Sequence, residues 1–192
     1  MKKLSDIVLF SSGSPSSRIA ESPNESAPEY SFYNQNDLEE SLIGIKLAKE
    51  ARSLFRTMDP VVTVAKGDLI FSLISGKAAI IQPWQDGYLI TQNYVKLSPD
   101  PELDPAFLAF LLNENDDVRR QLFASQQGSI TLKYTIKQLL DLQLPDLPAY
   151  DRQKIIGNLY FNQLKLSALV KRLANTKAAL TLAQLKEASK HE

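Results

Sequence analysis

The stretch that most constrains this chain is GSITLKYTIKQLLDLQLPDLPAYDRQKIIGNL, from Gly128 to Leu159. It is an amphipathic segment that passes through Leu144-Pro145-Asp146-Leu147-Pro148 and restarts as a helix. Each proline lacks an amide hydrogen and pushes the residue before it toward extended geometry. Leu144 and Leu147 are therefore expected outside any helix, and the first helix must stop near Leu142. Asp151 falls where an N-cap or first-turn carboxylate opposes the helix dipole. An ordinary loop between two helices has the same local chemistry, so the hinge alone does not distinguish one body from two.

The residues beyond the hinge make that distinction. Leucines at 159, 166, 173 and 180 recur every seven residues, with Ile155 or Ile156, Leu169 or Val170, and Ala183 filling the intervening positions. This is a coiled-coil-type seam, interrupted at Asn162 or Gln163 and at Thr176 or Lys177. About 40 helical residues extend roughly 60 Å, and a helix of that kind cannot bury its stripe alone. It either folds back on its own domain or associates with a second copy. The seam runs further than the preceding 150 or so residues could cover, so self-association is the expectation. Ile155, Leu159, Leu166, Leu169, Leu173 and Leu180 are its predicted contacts, and Asn162 would set register.

At 192 residues the chain has room for one domain with a proper core plus an appendage. No apolar run approaches the roughly 20 residues of a membrane span, and Asp6 interrupts the short apolar patch behind Lys2 and Lys3, so no signal peptide is read and the expected location is the cytoplasm. There is no cysteine, and the single histidine, His191, is penultimate. Disulfides, thiolate metal sites, Cys-His and Ser-His-Asp catalysis and ordinary zinc sites are thereby excluded, leaving carboxylates, lysine or tyrosine for any enzyme. Charge is unevenly divided. Residues 1–150 carry 14 Lys+Arg against 19 Asp+Glu, a net of −5, and residues 151–192 carry 8 against 3, a net of +5. A nucleic-acid face on the first body must then be a local patch.

Along the first body, Ile7–Phe10 reads as a strand and the adjoining SSGSPSSRIAESPNESAPE as a loop. Tyr30–Tyr33 has aromatic β-propensity and Asn34-Gln35-Asn36-Asp37 forms a turn or helix cap. Apolar spacing from Leu38 to Phe55 is compatible with a helix, although Gly44 weakens it; such a helix would align Lys46, Lys49, Arg52 and Arg56, either a solvated face or a phosphate stripe. Short strands separated by glycine turns occupy Val61–Val64, Leu69–Ile74, Ala78–Gln82 and Tyr88–Lys96, which reads as a curled sheet. Asp104 can cap a helix with Pro105 in its first position and Phe107, Leu108, Phe110, Leu111 and Leu112 on its buried side. A second helical pattern contains Val118, Leu122 and Phe123 and breaks at Gln126–Ser129.

Ser75-Gly76-Lys77 is not a phosphate loop, because Phe71 occupies the first glycine position and Ala78 the hydroxyl position. Neither a Gly-x-Gly-x-x-Gly nor an Asn/Asp-Pro-Pro-Tyr/Phe motif occurs. Asp68, Asp86 and Asp104, the carboxylates an enzyme might use, sit in cap and turn contexts.

The order Gly-Ser, apolar helix, Leu-Pro-x-Leu-Pro, then Arg152-Gln153-Lys154-Ile155, resembles the junction in specificity subunits of type I restriction-modification systems. In that family a target recognition domain runs into a long conserved helix through a proline pair and a Gln-x-x-Ile/Val step. Here Pro145 and Pro148 are separated by two residues rather than one. Lys66-Gly67-Asp68-Leu69-Ile70-Phe71-Ser72, Ala78–Ile81, Thr91–Val95, and Leu103-Asp104-Pro105-Ala106-Phe107-Leu108 resemble further family segments in the expected order.

The resemblance implies an α+β target recognition domain over 1–147, with a curled β-sheet and short helices, and a long coiled-coil-type helix over 148–192. It implies a half-length form that pairs with itself antiparallel, reads double-stranded DNA, and docks a modification (methyltransferase) subunit and a restriction subunit. Catalysis would lie in those subunits, so no cofactor, metal or catalytic residue is expected in this chain. Gly13–Arg18 resembles an early family loop that approaches DNA, and Gly128-Ser129 a later one. The DNA-contacting residues implied are Ser14, Arg18, Ser75, Lys77, Asn93, Gln127, Ser129, Lys133 and Tyr134, through phosphate or base-edge hydrogen bonds. The rival class is a DNA-independent scaffold that binds a partner protein through its long helix, suggested by the net −5 of the first body.

Overall fold

The computed structural model describes residues 2–47, 54–124 and 133–190. In chain order it contains β1 (Lys2–Lys3), β2 (Val8–Ser12), β3 (Glu29–Tyr30), α1 (Gln35–Ile43), β4 (Phe55–Arg56), β5 (Leu69–Ser72), β6 (Ala78–Ile80), β7 (Tyr94–Pro99), α2 (Pro105–Glu114), α3 (Asp116–Ala124), α4 (Ile136–Asp141), β8 (Gln143–Leu144) and α5 (Tyr150–Ala188). The class is α+β.

An open antiparallel sheet of order β2-β7-β5-β6 forms the middle layer. The central strand β5 is buried on both faces, in keeping with its Leu69-Ile70-Phe71 run. Side chains alternate across a strand. Leu69 and Phe71 therefore join Val95, Leu97, Phe107, Leu108, Leu111, Leu112, Val118 and Leu139 in one core, while Ile70 joins Tyr33, Leu38, Val64, Ile81 and Ile90 in a second. The first core lies beneath α2, α3 and α4. The second lies beneath α1 and the loops that lead into the sheet.

Local chemistry sets the helix ends. Asn34 caps α1 by accepting from the amides of Asn36 and Asp37, while Asp37 accepts from the Asn34 amide at 2.9 Å, a reciprocal box. The helix stops at Gly44, which adopts φ 60° and donates its amide to Glu40. The helix expected over Leu38–Phe55 is thus shorter, because a glycine in the left-handed region ends it. Lys46 lies beyond that end and Arg56 lies on β4, paired with Glu29; Lys49 and Arg52 lie outside the described residues. Among the described residues, Lys46 and Arg56 do not share a helix face.

Val61–Val64, expected as a strand, contributes only single contacts, with Ile90 donating to Val62 and Val64 to Tyr88. The strand expected over Tyr88–Lys96 starts at Tyr94 instead. Several other expectations agree with the structure. Asp104 accepts the Phe107 amide at 2.9 Å with Pro105 first in α2. Leu142 ends α4, and Leu144 and Leu147 are both non-helical. Asp68, Asp86 and Asp104 accept backbone amides from Ala65, Lys66 and Phe107.

The hinge is anchored from both sides. β1 pairs antiparallel with β8, Lys2 opposite Leu144, and Leu4 donates to Leu142, so the start of the chain and the segment before the prolines form one small ribbon. After the prolines, α5 packs against α2 and α1. Its 39 residues extend about 58 Å.

Candidate nucleic-acid interface

The strand register brings several loops to one end of the sheet. Ser12 pairs with Val95, Ser72 with Tyr94 and Phe71 with Ala78, so β2 and β5 end where β6 and β7 begin. Backbone bonds lace the emerging loops into a rim. Gly13 donates to Tyr94, Ser14 to Ile90, Gln92 to Ser14, Leu73 to Asn93 and Tyr134 to Leu73. The rim lies at the opposite end of the sheet from the hinge, because β2 begins and β7 ends beside Asp100, whose amide donates to Ile7.

Two glycines permit this closeness. A Cβ on Gly13 would lie 2.2 Å from the carbonyl oxygen of Thr91, and one on Gly76 would meet the ring of Tyr134 at 2.3 Å. Gly76 also has φ 65°, a conformation costly to other residues.

The predicted contact residues divide within this rim. Arg18, at the end of a short 3-10 turn over Ser16–Arg18, and Ser75 are exposed. Lys133 is exposed and donates to Asn93 Oδ1 at 3.3 Å, so these two come together. Among the described residues neither Arg18 nor Lys133 has a carboxylate partner, which leaves both charges available to an anion. Gln127 and Ser129 lie outside the described residues.

Three predicted residues are directed elsewhere. Ser14 is buried and its hydroxyl accepts the Val62 amide at 2.9 Å, which makes it part of the scaffold holding the loop. Tyr134 is 9% exposed, its ring beneath Gly76 and edge-on to Phe71 at 6.1 Å. It supports the rim from below instead of presenting a face to a base. Lys77 turns toward the end of α2, 3.6 Å from Glu114 and 3.4 Å from the carbonyl of Asn113.

That turn leads to residues the sequence did not mark. Asn113 is buried and brackets Ala78 as a strand would, accepting its amide at 2.8 Å and donating to its carbonyl at 2.7 Å. It also donates to Tyr160 on α5 at 3.0 Å, and the Tyr160 hydroxyl donates to Glu114. Gln153 is 2% exposed; it accepts from the Asp104 amide and donates to the carbonyls of Glu102 and Pro148. Its position in the Gln-x-x-Ile step was the available signal. Gly157 lets α5 approach the start of α2, since a Cβ there would lie 2.6 Å from the Phe107 amide nitrogen.

The helix α5 therefore has two faces. Gln153, Ile156, Gly157, Tyr160, Phe161 and Leu164 are buried or half-buried against the domain. Ile155, Leu159, Leu166, Leu169, Leu173 and Leu180 are 44–71% exposed. At about 100° per residue these sets lie on opposite sides of the helix. Beyond Ala168 every described residue of the helix is exposed, so roughly 30 Å of it projects past its own domain.

Burial, reinforced by the charge of Asp37 and opposed by a hydrogen bond to Gln35, pushes the Tyr94 hydroxyl up to about 12. Burial likewise raises Tyr33 and Tyr160, so all three remain protonated near neutrality. Among the described residues no group of three or more His, Cys, Asp or Glu is placed to hold a metal, and no helix is long and apolar enough to cross a membrane.

This fold is similar to that of a solved HsdS subunit and of a chain from a type I R-M system. The HsdS subunit from Thermoanaerobacter tengcongensis superimposes with a TM-score of 0.58 and 19% identity, over 97% of this chain and 42% of that one. A chain from a structure of the complex assembly and conformational transition of the type I R-M system matches with a TM-score of 0.60 and 17% identity, over 97% and 43%. This chain thus spans less than half the length of either. No protein-family model and no curated protein matches it.

Proposed function

We propose that this chain is a non-catalytic DNA-specificity subunit of a type I restriction-modification complex, supplying one recognition domain and one long helix. The recognition domain occupies 1–147 and the docking helix 148–192. Two copies pair through the leucine seam in antiparallel fashion, and two identical readers related by a two-fold axis call for an interrupted palindrome with identical half-sites. The rod also offers the surface on which modification and restriction subunits dock. The observation that carries this reading is the joint occurrence, in one fold match over 97% of the chain, of the loop rim and of a seam turned away from the domain.

At the rim, Arg18 and Lys133 are the phosphate or guanine contacts, with Ser75, Asn93, Gln127 and Ser129 as hydrogen-bonding partners to base edges. Ser14, Tyr134 and Lys77 act behind them, holding the loops. Methyl transfer and cleavage belong to the partner subunits.

The test is selection from random-sequence duplex DNA by the full chain, alone and with its modification subunit. A two-part motif with symmetric halves is the expected product. Failure to enrich any two-part motif with the full complex would overturn the DNA reading and leave the scaffold role that the net −5 of residues 1–150 favours.

A further inference from the structure

One edge of the rod's seam carries its charges in order. In α5 the first turns hold Asp151 with Arg152 and Lys154 beside it, and Lys165, Lys171, Arg172, Lys177 and Lys186 follow toward the far end, with Glu187 as the sole later acid of the helix. Asp151 and Lys186 are both exposed, and among the described residues neither side chain has a partner in its own chain. Both also share one edge of the seam. With Leu159, Leu166, Leu173 and Leu180 as the first core position of each heptad, the residues immediately before that position are Asp151, Asn158, Lys165, Arg172, Ala179 and Lys186.

This arrangement discriminates between ways of covering the seam. In a parallel pair each such edge faces the opposite edge of the next heptad, which sets Arg172 against Lys177 and offers Asp151 only Ile156. In an antiparallel pair like edges meet. If Leu166 of one rod lies against Leu169 of the other, Ile155 lies against Leu180, all six seam residues are covered, and Lys186 meets Asp151 at both ends. The same register places Lys165 near Arg172 close to the two-fold axis, so the middle of the rod repels while its ends attract. Sliding by one heptad in one direction sets Lys165 against its own copy, carries Lys186 past the start of α5 and uncovers Leu180. Sliding in the other sets Arg172 against its own copy, leaves Lys186 opposite Asn158 and takes Asp151 past the far end of α5.

Resting on the self-pairing proposed above, we infer that a second copy of this chain occupies the seam in this one register, fastened at each end by Lys186 of one rod and Asp151 of the other. The occupant is a second copy because this one edge of each rod carries both the acid, Asp151, and the base, Lys186. An end pair gives the interface a salt-dependent term that its leucines lack.

The experiment uses the full chain and sedimentation equilibrium at about 50 mM salt. Lys186→Glu or Asp151→Lys alone should raise the dimer Kd about tenfold, since each dimer contains two such pairs and reversal replaces attraction by repulsion. Both changes in one chain should return Kd to within about twofold of the parent. Mixing the two single variants should yield heterodimers in preference to either homodimer. Because the chain contains no cysteine, an Asp151→Cys, Lys186→Cys variant also reads the register with a short bismaleimide: it should give a covalent dimer that neither single cysteine gives. Leu166→Asp separates the two levels of the argument. A Leu166→Asp chain with the parent's mass sinks self-pairing itself. A monomeric Leu166→Asp chain, together with charge variants that dimerise like the parent and no cross-link, sinks the register and leaves self-pairing standing.

Discussion

Replacing Gly157 by alanine should weaken the joint between domain and rod, against the usual sign of that substitution. In an exposed helix interior, glycine to alanine stabilises by about 1 kcal/mol, because glycine loses more backbone freedom on folding. At position 157 the added carbon would lie 2.6 Å from the Phe107 amide nitrogen, 2.7 Å from the Ala106 carbonyl carbon and 2.8 Å from Ala106 Cβ. Two of these atoms are backbone at the start of α2 and cannot rotate aside, so α5 must retreat by about 1 Å to reach ordinary contact. Overpacking of this kind costs about 1–3 kcal/mol, which outweighs the propensity gain and leaves a net loss of about 1 kcal/mol. The retreat also has leverage. Contact with the domain continues for about 16 Å past Gly157, to Ala168, whereas the helix continues for about 46 Å to Ala188. A 1 Å shift over the short arm tilts the rod by about 4° and carries its far end about 2 Å. Urea unfolding of Gly157→Ala, read beside an exposed control such as Asn158→Ala, measures the stability term, and small-angle scattering measures the tilt. A Gly157→Ala chain more stable than the parent by the ordinary helix increment would refute the close packing of α5 on α2.

Other perturbations bear on the same arrangement. Gln153→Leu leaves the Asp104 amide and the carbonyls of Glu102 and Pro148 without the partners they have now, and should cost about 2–4 kcal/mol in urea unfolding; a loss below roughly 0.5 kcal/mol would contradict its role as the hinge clamp. At the rim, Arg18→Ala and Lys133→Ala should each reduce the salt slope of DNA binding by about 1, whereas Tyr134→Phe should leave affinity unchanged; equal slopes for all three chains would remove those two cations from the interface. The ion pair between Lys3 and Asp141, 2.8 Å long, holds the Asp141 carboxyl below the usual carboxylate range and Lys3 above the usual ammonium range, mainly through their shared hydrogen bond. Asp141 adds stability above the ordinary aspartate pKa that is lost as pH falls through its depressed value, and Lys3 adds stability that is lost as pH rises through its raised one. Lys3→Met should remove both limbs from a plot of Tm against pH; a wild-type acid limb in that variant would place the titration elsewhere.

Much of the architecture was legible because it rests on neighbours in sequence. The prolines at 145 and 148 end one helix and precede another through missing amide hydrogens and a local clash, and Asp104 with Pro105 starts α2 for equally local reasons. The strand expected over Leu69–Ile74 was legible as an apolar run bounded by glycine turns, and it forms over Leu69–Ser72. Where expectation and structure part, the deciding contact is distant or a single residue overrides the pattern. Apolar spacing over Leu38–Phe55 suited a helix, yet Gly44 at φ 60° ended it.

The candidate site shows the same division. Arg18 and Lys133, which the family resemblance named as DNA contacts, are exposed cations at the rim. That Ser14 and Tyr134 turn inward, and Lys77 toward Glu114, is set by which loops the register β2-β7-β5-β6 brings side by side. Nothing within a few residues of them records that.

The rod states the point most sharply. The sequence by itself determined a long helix with a seven-residue stripe, because the period of an α-helix depends only on backbone geometry. Only the tertiary structure decided that the opposite side, through Gln153, Gly157 and Tyr160, is the one the domain takes, leaving the leucines uncovered. Periodicity tells which residues share a face, but which face is filled depends on the shape of a partner more than 40 residues away along the chain, as from Asn113 to Tyr160.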